Sequence, residues 1–274
     1  MRLDLGFLPN ARQALLPLPL VDRRAGTPAA VLPPLEPDPA APWAGERVAV
    51  VGTDGGAGSV AMIGLARALE ESGARPALIS TCSGSALWGA MWAAGMSAEE
   101  MADCALAWRP EDHLGVQWTG LPRFAASALR GFSGLAKARA VEQLFPRHVW
   151  RMSAGATEVP FQVLAHDLES GRSEPLGSVA TPELTLGELV RVAVASPHER
   201  EAVRIEGRFY SDAGAAERPS PERLLDGADF DRVLDAGTGP SSFYGLFLDR
   251  RRWPELIRGG YDAARRTRPL ASPS

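Results

Sequence analysis

Only two cysteines, Cys82 and Cys104, occur in the 274-residue chain. That is too few for a disulfide framework, and it fits a reducing compartment. No run approaches the 18 or so apolar residues that a membrane-spanning helix needs. The N-terminus lacks the form of a signal peptide, because Asp4 intrudes and Pro9, Pro17 and Pro19 break any apolar segment. A cytoplasmic location is the expectation. There is no excess of positive charge either: the formal net charge is -4 and the pI near 5.7, which argues against a nucleic-acid partner. No internal repeat is visible. What remains, 45% hydrophobic and 23% charged residues, is an ordinary globular composition with enough apolar material for one large domain.

Proline is unevenly spread. Residues 1–44 hold nine of the 23 prolines, which excludes regular helix and central strand there. The same segment still carries Leu15, Leu16, Leu18, Leu20, Val21, Val31 and Leu32. It reads as an extended N-terminal arm, partly packed on the domain and partly polyproline-like, with residues 45–274 forming the domain itself.

The organising stretch runs from Arg47 to Gly95. Val48-Ala49-Val50-Val51 is a β-branched run that ends in Gly52-Thr53-Asp54-Gly55-Gly56-Ala57-Gly58, after which Val60, Ile63, Gly64, Ala68 and the Leu65/Leu69 pair recur at helical spacing. Ser72-Gly73 stops that helix and Ala77-Leu78-Ile79 opens a second strand. Ser83 then falls where this strand turns into a helix from Ala86 to Ala94, closed by Gly95. The unit is βαβα with a serine at the second strand-to-helix turn. Such a turn lifts one side chain out of the sheet and tolerates only small neighbours two positions away; Thr81 and Ser85 are small, though not the glycines of a G-x-S-x-G elbow. Taken alone, a serine here is more commonly a buried residue that caps a helix.

The first loop adds a second signal. Gly55 and Gly56 let backbone N–H groups approach an oxygen, at the start of a helix whose dipole favours negative charge. Neighbouring parallel strands would bring these amides and the Ser83 hydroxyl to one carbonyl. The run from Gly56 to Ala61 also fits a dinucleotide fingerprint, but the next strand ends Ser80-Thr81-Cys82 without the required acid, and no Gly-Lys-Ser/Thr follows the glycines as in a phosphate-loop NTPase.

Asp54 to Glu71 resembles the glycine-rich oxyanion loop and first helix of patatin-like phospholipases, and Ile79-Ser80-Thr81-Cys82-Ser83-Gly84-Ser85-Ala86-Leu87 resembles their serine elbow. Where that family has a loop arginine this chain has Gly58, followed by Ser59, and the first loop glycine is replaced by Asp54. The resemblance implies a three-layer α/β/α fold with a mostly parallel central sheet, a helical cap-like insertion, and a Ser-Asp dyad. It therefore requires a downstream aspartate. Phe161 to Ala165 reads as a strand, followed by His166-Asp167 and the turn Glu169-Ser170-Gly171-Arg172, and resembles the family's next strand and glycine turn. Val203-Arg204-Ile205, the turn Glu206-Gly207, and Phe209 to Gly214 follow, and Asp212 sits in a setting that resembles the family's aspartate strand, with Ala213 where glycine is usual.

Elsewhere, Ser97 with Glu100 and Thr185 with Glu188 are capping boxes that start helices to about Trp108 and Ala195. Between Arg109 and Pro146, aromatic and aliphatic residues interleave with Arg123, Arg130, Lys137 and Arg139, as expected of a helical cap that forms an acyl-binding groove or touches a lipid surface. Ser220-Pro221 starts another helix, Arg232-Val233-Leu234 is a strand, and a basic helix around Leu256 to Arg266 ends the pattern.

The resemblance thus implies a lipase- or phospholipase-type serine acyl hydrolase that acts on an acyl ester or lipid, with transient membrane-surface contact. Ser83 would be the nucleophile and Asp212 the base, apolar neighbours such as Phe209 and Val203 would desolvate the carboxylate, and the amides of Gly55, Gly56 and Gly84 would receive the oxyanion. No metal or organic cofactor is called for. Other classes stay open. An acyltransferase or thioesterase would use the same serine, the acyltransferase with His198, and a classical α/β-hydrolase triad would run Ser83, Asp167, His198. A catalytically weakened binding protein would keep the fold without the chemistry.

Overall fold

A computed structural model of the chain describes residues 32, 34–36, 43, 45–53, 56–107, 139–142, 144–196, 201–217, 219–236 and 252–266. The cap segment read between Arg109 and Pro146 lies largely outside these residues, as do Asp54, Gly55 and His198.

Seven strands form one sheet: β1 (Val48–Gly52), β2 (Leu78–Thr81), β3 (Phe161–Asp167), β4 (Arg172–Gly177), β5 (Val203–Ile205), β6 (Arg208–Asp212) and β7 (Arg232–Asp235). The strands β3, β2, β1 and β7 lie side by side and all run parallel, while β4, β5 and β6 join as antiparallel additions. The central strands β1 and β2 are buried on both faces, as parallel strands require. Val48, Val50, Ile79, Phe161, Val163 and Ala165 point into one core, and Ala49, Val51, Leu78 and Leu164 into another.

The larger core lies under the helices α1 (Ala61–Ser72), α2 (Ser85–Ala93), α3 (Ala98–Ala107), α6 (Leu186–Ala193) and α9 (Trp253–Arg266). The short helices α4 (Arg139–Glu142) and α5 (Arg147–Arg151) precede β3. On the other face, α7 (Ala213–Ala216) and α8 (Pro221–Leu225) contribute Ala213, Leu224 and Leu225. This is the α/β/α layering expected of the resemblance. Among the described residues no helix is long and apolar enough to cross a membrane.

Local signals set most boundaries. Gly73 adopts φ 68° and ends α1. Both capping boxes form: Ser97 Oγ accepts from Glu100 N at 3.2 Å while Ser97 N donates to Glu100 Oε2 at 2.8 Å, and Thr185 and Glu188 repeat the exchange at 3.2 and 2.8 Å. Of the arm, Leu32 and Trp43 are buried. The Trp43 indole donates to Ser72 Oγ at 2.7 Å, and its ring lies 5.9 Å from the guanidinium of Arg232. That guanidinium is wholly buried and forks onto Glu46. Two residues just before β1 thereby fasten the chain's entry to α1 and β7.

The last helix is joined to the first at backbone distance. A Cβ placed on Gly64 would overlap the Ile257 carbonyl oxygen, and one on Gly260 would overlap that of Ala61. Beyond this crossing, Tyr261 Oη donates to Glu71 Oε2 at 2.9 Å and Arg265 Nη1 to the same oxygen at 3.0 Å. Arg265 of the terminal basic cluster is therefore engaged with the protein.

Candidate active site

The register of β3 explains how two distant segments meet. Along one edge, β4 pairs with β3 from Gln162 to Asp167. Along the other edge, β2 pairs with Phe161, Gln162 and Val163, and then β6 takes over at Ala165, His166 and Asp167. Since β2 runs with β3 and β6 against it, the carboxyl ends of β2 and β6 face each other along a single edge. Thr81 stands opposite Val163 and Asp212 opposite Ala165, two residues or about 7 Å apart along β3. Ser83 leaves from one end and Gly214 from the other.

Ser83 has φ 50°, in the left-handed region that a branched-off side chain rarely adopts. A non-glycine residue held there costs about 1–3 kcal/mol and persists only when its surroundings impose it. It is the backbone signature of a strand-to-helix elbow. The room that elbow glycines would provide comes from other glycines. A Cβ on Gly52 would collide with Ser85, and one on Gly89 would lie 2.9 Å from Thr81 Cγ2. Thr81 and Ser85 are tolerated because β1 and α2 each present a bare backbone to them.

Asp212 is 2% exposed, and its Oδ1 accepts the Gly214 N–H at 2.8 Å, capping α7. A Cβ built on Gly214 would sit 3.1 Å from Asp212 Oδ1, 3.4 Å from Ser83 Cβ and 3.5 Å from Cys82 Sγ. The serine and the carboxylate therefore flank one glycine, separated by no more than the sum of the first two distances. Their surroundings differ from the sequence reading in one respect: Phe209 does not shield the carboxylate. It is 44% exposed, alternates to the opposite face of β6 from Asp212, and lies under Arg204 at 5.8 Å. Burial of Asp212 comes instead from its place in the sheet, where its N–H donates to Ala195 O at 3.0 Å.

Gly84 immediately follows Ser83 at the start of α2, and Gly56 opens a short 3-10 turn, Gly56–Val60, that follows β1. Gly55 lies outside the described residues. The exits of β1 and β2 are tied together, since Gly52 stands opposite Thr81 and Cys82 N donates to Gly52 O at 3.0 Å. The glycine loop and the elbow thus leave the sheet side by side, as the βαβ reading expects.

Asp167 is committed elsewhere. Its carboxylate accepts from Glu169 N at 2.8 Å, Ser170 N at 3.4 Å and Arg208 Nη1 at 3.1 Å. These bonds, the Glu169 amide first, hold its carboxyl below the ordinary carboxylate range. These hydrogen bonds serve the β3–β4 turn and tie it to β6. Arg208 also meets Glu174 at 3.0 Å and stacks on Tyr210 at 5.2 Å, and Tyr210 donates to Glu174 at 2.6 Å. Burial, and then the Glu174 carboxylate, push the Tyr210 phenol well above its usual value. This group pins β6 to β3 and β4 two residues before Asp212.

The sign of the Asp167 contribution fixes a pH prediction. A carboxylate depressed on folding stabilises fully above its unfolded value and loses that contribution as pH falls through its folded value. Acid unfolding below about pH 4 should therefore be less steep in Asp167→Asn than in the wild type when followed by circular dichroism; identical acid limbs would refute the assignment. Among the described residues no three His, Cys, Asp or Glu side chains gather as a metal site.

Against known proteins, the family described as patatin-like phospholipase matches residues 55–226. The fold is similar to VipD from Legionella pneumophila, with a TM-score of 0.46 and 12% identity over 80% of this chain and 66% of that one. It is also similar to the type III effector protein ExoU, with a TM-score of 0.41 and 15% identity over 84% of this chain and 53% of that one. The chain thus spans less than two thirds of the length of either. No curated protein matches it.

Proposed function

Because the chain belongs to the patatin-like phospholipase family, a family of lipid acyl hydrolases, we propose that it cleaves acyl esters through a Ser83-Asp212 dyad and an acyl-enzyme. The observation that carries this reading is the convergence of a strained Ser83 and a buried Asp212 on the two sides of Gly214.

In the proposed cycle, Ser83 Oγ attacks the ester carbonyl carbon as its proton passes to the Asp212 carboxylate. A carboxylate with an ordinary pKa near 4 is a weak base toward a hydroxyl, so placement close to the serine and exclusion of water must supply the difference. The new C–O bond turns the carbonyl oxygen into an oxyanion, which the amides of Gly55, Gly56 and Gly84 receive. Each such donor is typically worth about 3 kcal/mol of barrier. Collapse breaks the bond to the leaving alkoxide, which takes the proton from Asp212. A water molecule, deprotonated by Asp212, then attacks the acyl carbon, releasing the free acid and restoring the Ser83 hydroxyl. A lipid ester is the substrate class; the cap segment and membrane-surface contact belong to the same proposal.

The test is hydrolysis of p-nitrophenyl esters of short, medium and long acyl chains, with fluorophosphonate labelling of the same preparations. The wild type should turn over and label on Ser83, Ser83→Ala should do neither, and His198→Ala should retain both. An unlabelled wild type would leave a binding protein. Loss of activity in His198→Ala would favour the histidine-dependent acyl transferase or triad.

A further inference from the structure

Two buried side chains that take no part in the proposed cycle connect the loops that do. Ser59 lies in the turn Gly56–Val60, three residues after Gly56, and Trp88 lies on α2, five residues after Ser83. The Trp88 indole N–H donates to Ser59 Oγ at 3.0 Å, with Ser59 0% and Trp88 1% exposed. An indole N–H at that depth needs an acceptor, and here the acceptor is supplied by the loop that follows β1.

The two ends of this bond differ in stiffness. Every residue of α2 from Ser85 to Ala93 is buried, and Gly89 sets the helix closely against Thr81, Ile79 and Phe161. The indole is therefore a fixed post. The turn, by contrast, is built from Gly56, Ala57 and Gly58, which offer no long side chain to anchor its path. Ser59 is its first residue with a polar side chain, and that hydroxyl is bound to the helix that follows the nucleophile.

We infer that Trp88 and Ser59 are positioning residues: their hydrogen bond holds the glycine loop at the distance from Ser83 that oxyanion stabilisation requires. The inference rests on the reading above that the loop amides receive the oxyanion. A shift of about 1 Å in a donor costs up to about a hundredfold in rate, so loosening rather than removing the loop should cost about tenfold.

The experiment compares wild type, Ser59→Ala, Trp88→Phe and the double variant on a medium-chain p-nitrophenyl ester, with thermal melts alongside. Each single variant should lower kcat about tenfold and move KM by less than about twofold. The double variant should be no slower than the slower single one, because both remove the same bond. Affinity for an acyl trifluoromethyl ketone, which forms the tetrahedral oxyanion on the serine, should fall in step with kcat/KM, while binding of the matching fatty acid should not change. Full kcat in Ser59→Ala, losses that multiply in the double variant, or a lowered melting temperature with unaltered kcat would each overturn the positioning role. Should Trp88→Phe fail to fold, Ser59→Ala with the ketone decides alone. A wild type with no turnover would sink the hydrolase reading and this inference together, whereas an active wild type matched by Ser59→Ala would sink only the inference.

Discussion

Replacing Asp212 by asparagine is expected to lower kcat for ester hydrolysis by about 10³–10⁴-fold, comparable to the loss of the acid from other serine hydrolase assemblies. The substitution is nearly isosteric, and its amide oxygen still accepts the Gly214 N–H that now caps α7 at 2.8 Å. Its place beside Gly214 is likewise retained. What is lost, in the proposed cycle, is the capacity to take the Ser83 proton. Thermal stability should therefore stay near the wild-type value while turnover collapses, and KM should change far less than kcat. Measuring the melting transition and single-turnover kinetics on one preparation separates the two effects. An Asp212→Asn variant that turned over at more than about a tenth of the wild-type rate would remove Asp212 from the chemistry and leave it as a helix cap.

Gly260→Ala and Gly259→Ala should have opposite signs. In a helix interior, glycine to alanine ordinarily stabilises by about 0.5–1 kcal/mol. A Cβ on Gly259 meets nothing within 4 Å, so that gain should appear there. One residue on, a Cβ on Gly260 would overlap the Ala61 carbonyl oxygen and lie 2.8 Å from its carbon. Backbone atoms cannot rotate away, so α9 must lift from α1. The loss should be about 3 kcal/mol or more, a fall in melting temperature of about 10 °C for a domain of this size. Gly64→Ala should match it, since it meets the Ile257 carbonyl oxygen across the same crossing. Displacing α9 would also uncover Trp253, Ile257 and Ala264, all buried against the core. Equal melting temperatures for the two neighbouring alanine variants would disprove the close crossing.

These two predictions draw on different kinds of information. Features whose cause is local were legible in the sequence: the stop at Gly73, the capping boxes Ser97/Glu100 and Thr185/Glu188, the strand-loop-helix unit around Gly56, and the Ser220-Pro221 helix start. Each depends on residues within one turn of one another. Strand β4 was not read, because Arg172 to Gly177 contains Pro175, Gly177 and two charges, and carries no alternating pattern. It exists as a strand only because β3 offers it an edge. The tolerance of Thr81 and Ser85 at the elbow was equally hidden, since the compensating Gly52 and Gly89 lie on other elements. The exposure of Phe209 has a related cause. Its proximity to Asp212 in sequence suggested shielding, but strand alternation sends successive side chains to opposite faces. The Trp88 to Ser59 hydrogen bond spans 29 positions, beyond any short-range pattern.

The abutment of β2 and β6 along one edge of β3 has a consequence for how the protein is made. During synthesis Ser83 emerges long before Asp212, and nothing between them supplies a proton acceptor to the hydroxyl in the proposed scheme. A ribosome-tethered fragment that ends ahead of the β5–β6 hairpin would carry an inert alcohol. Hydrolytic competence would arrive only once that hairpin docks, so turnover in a translating extract would serve as a clock for completion of the sheet.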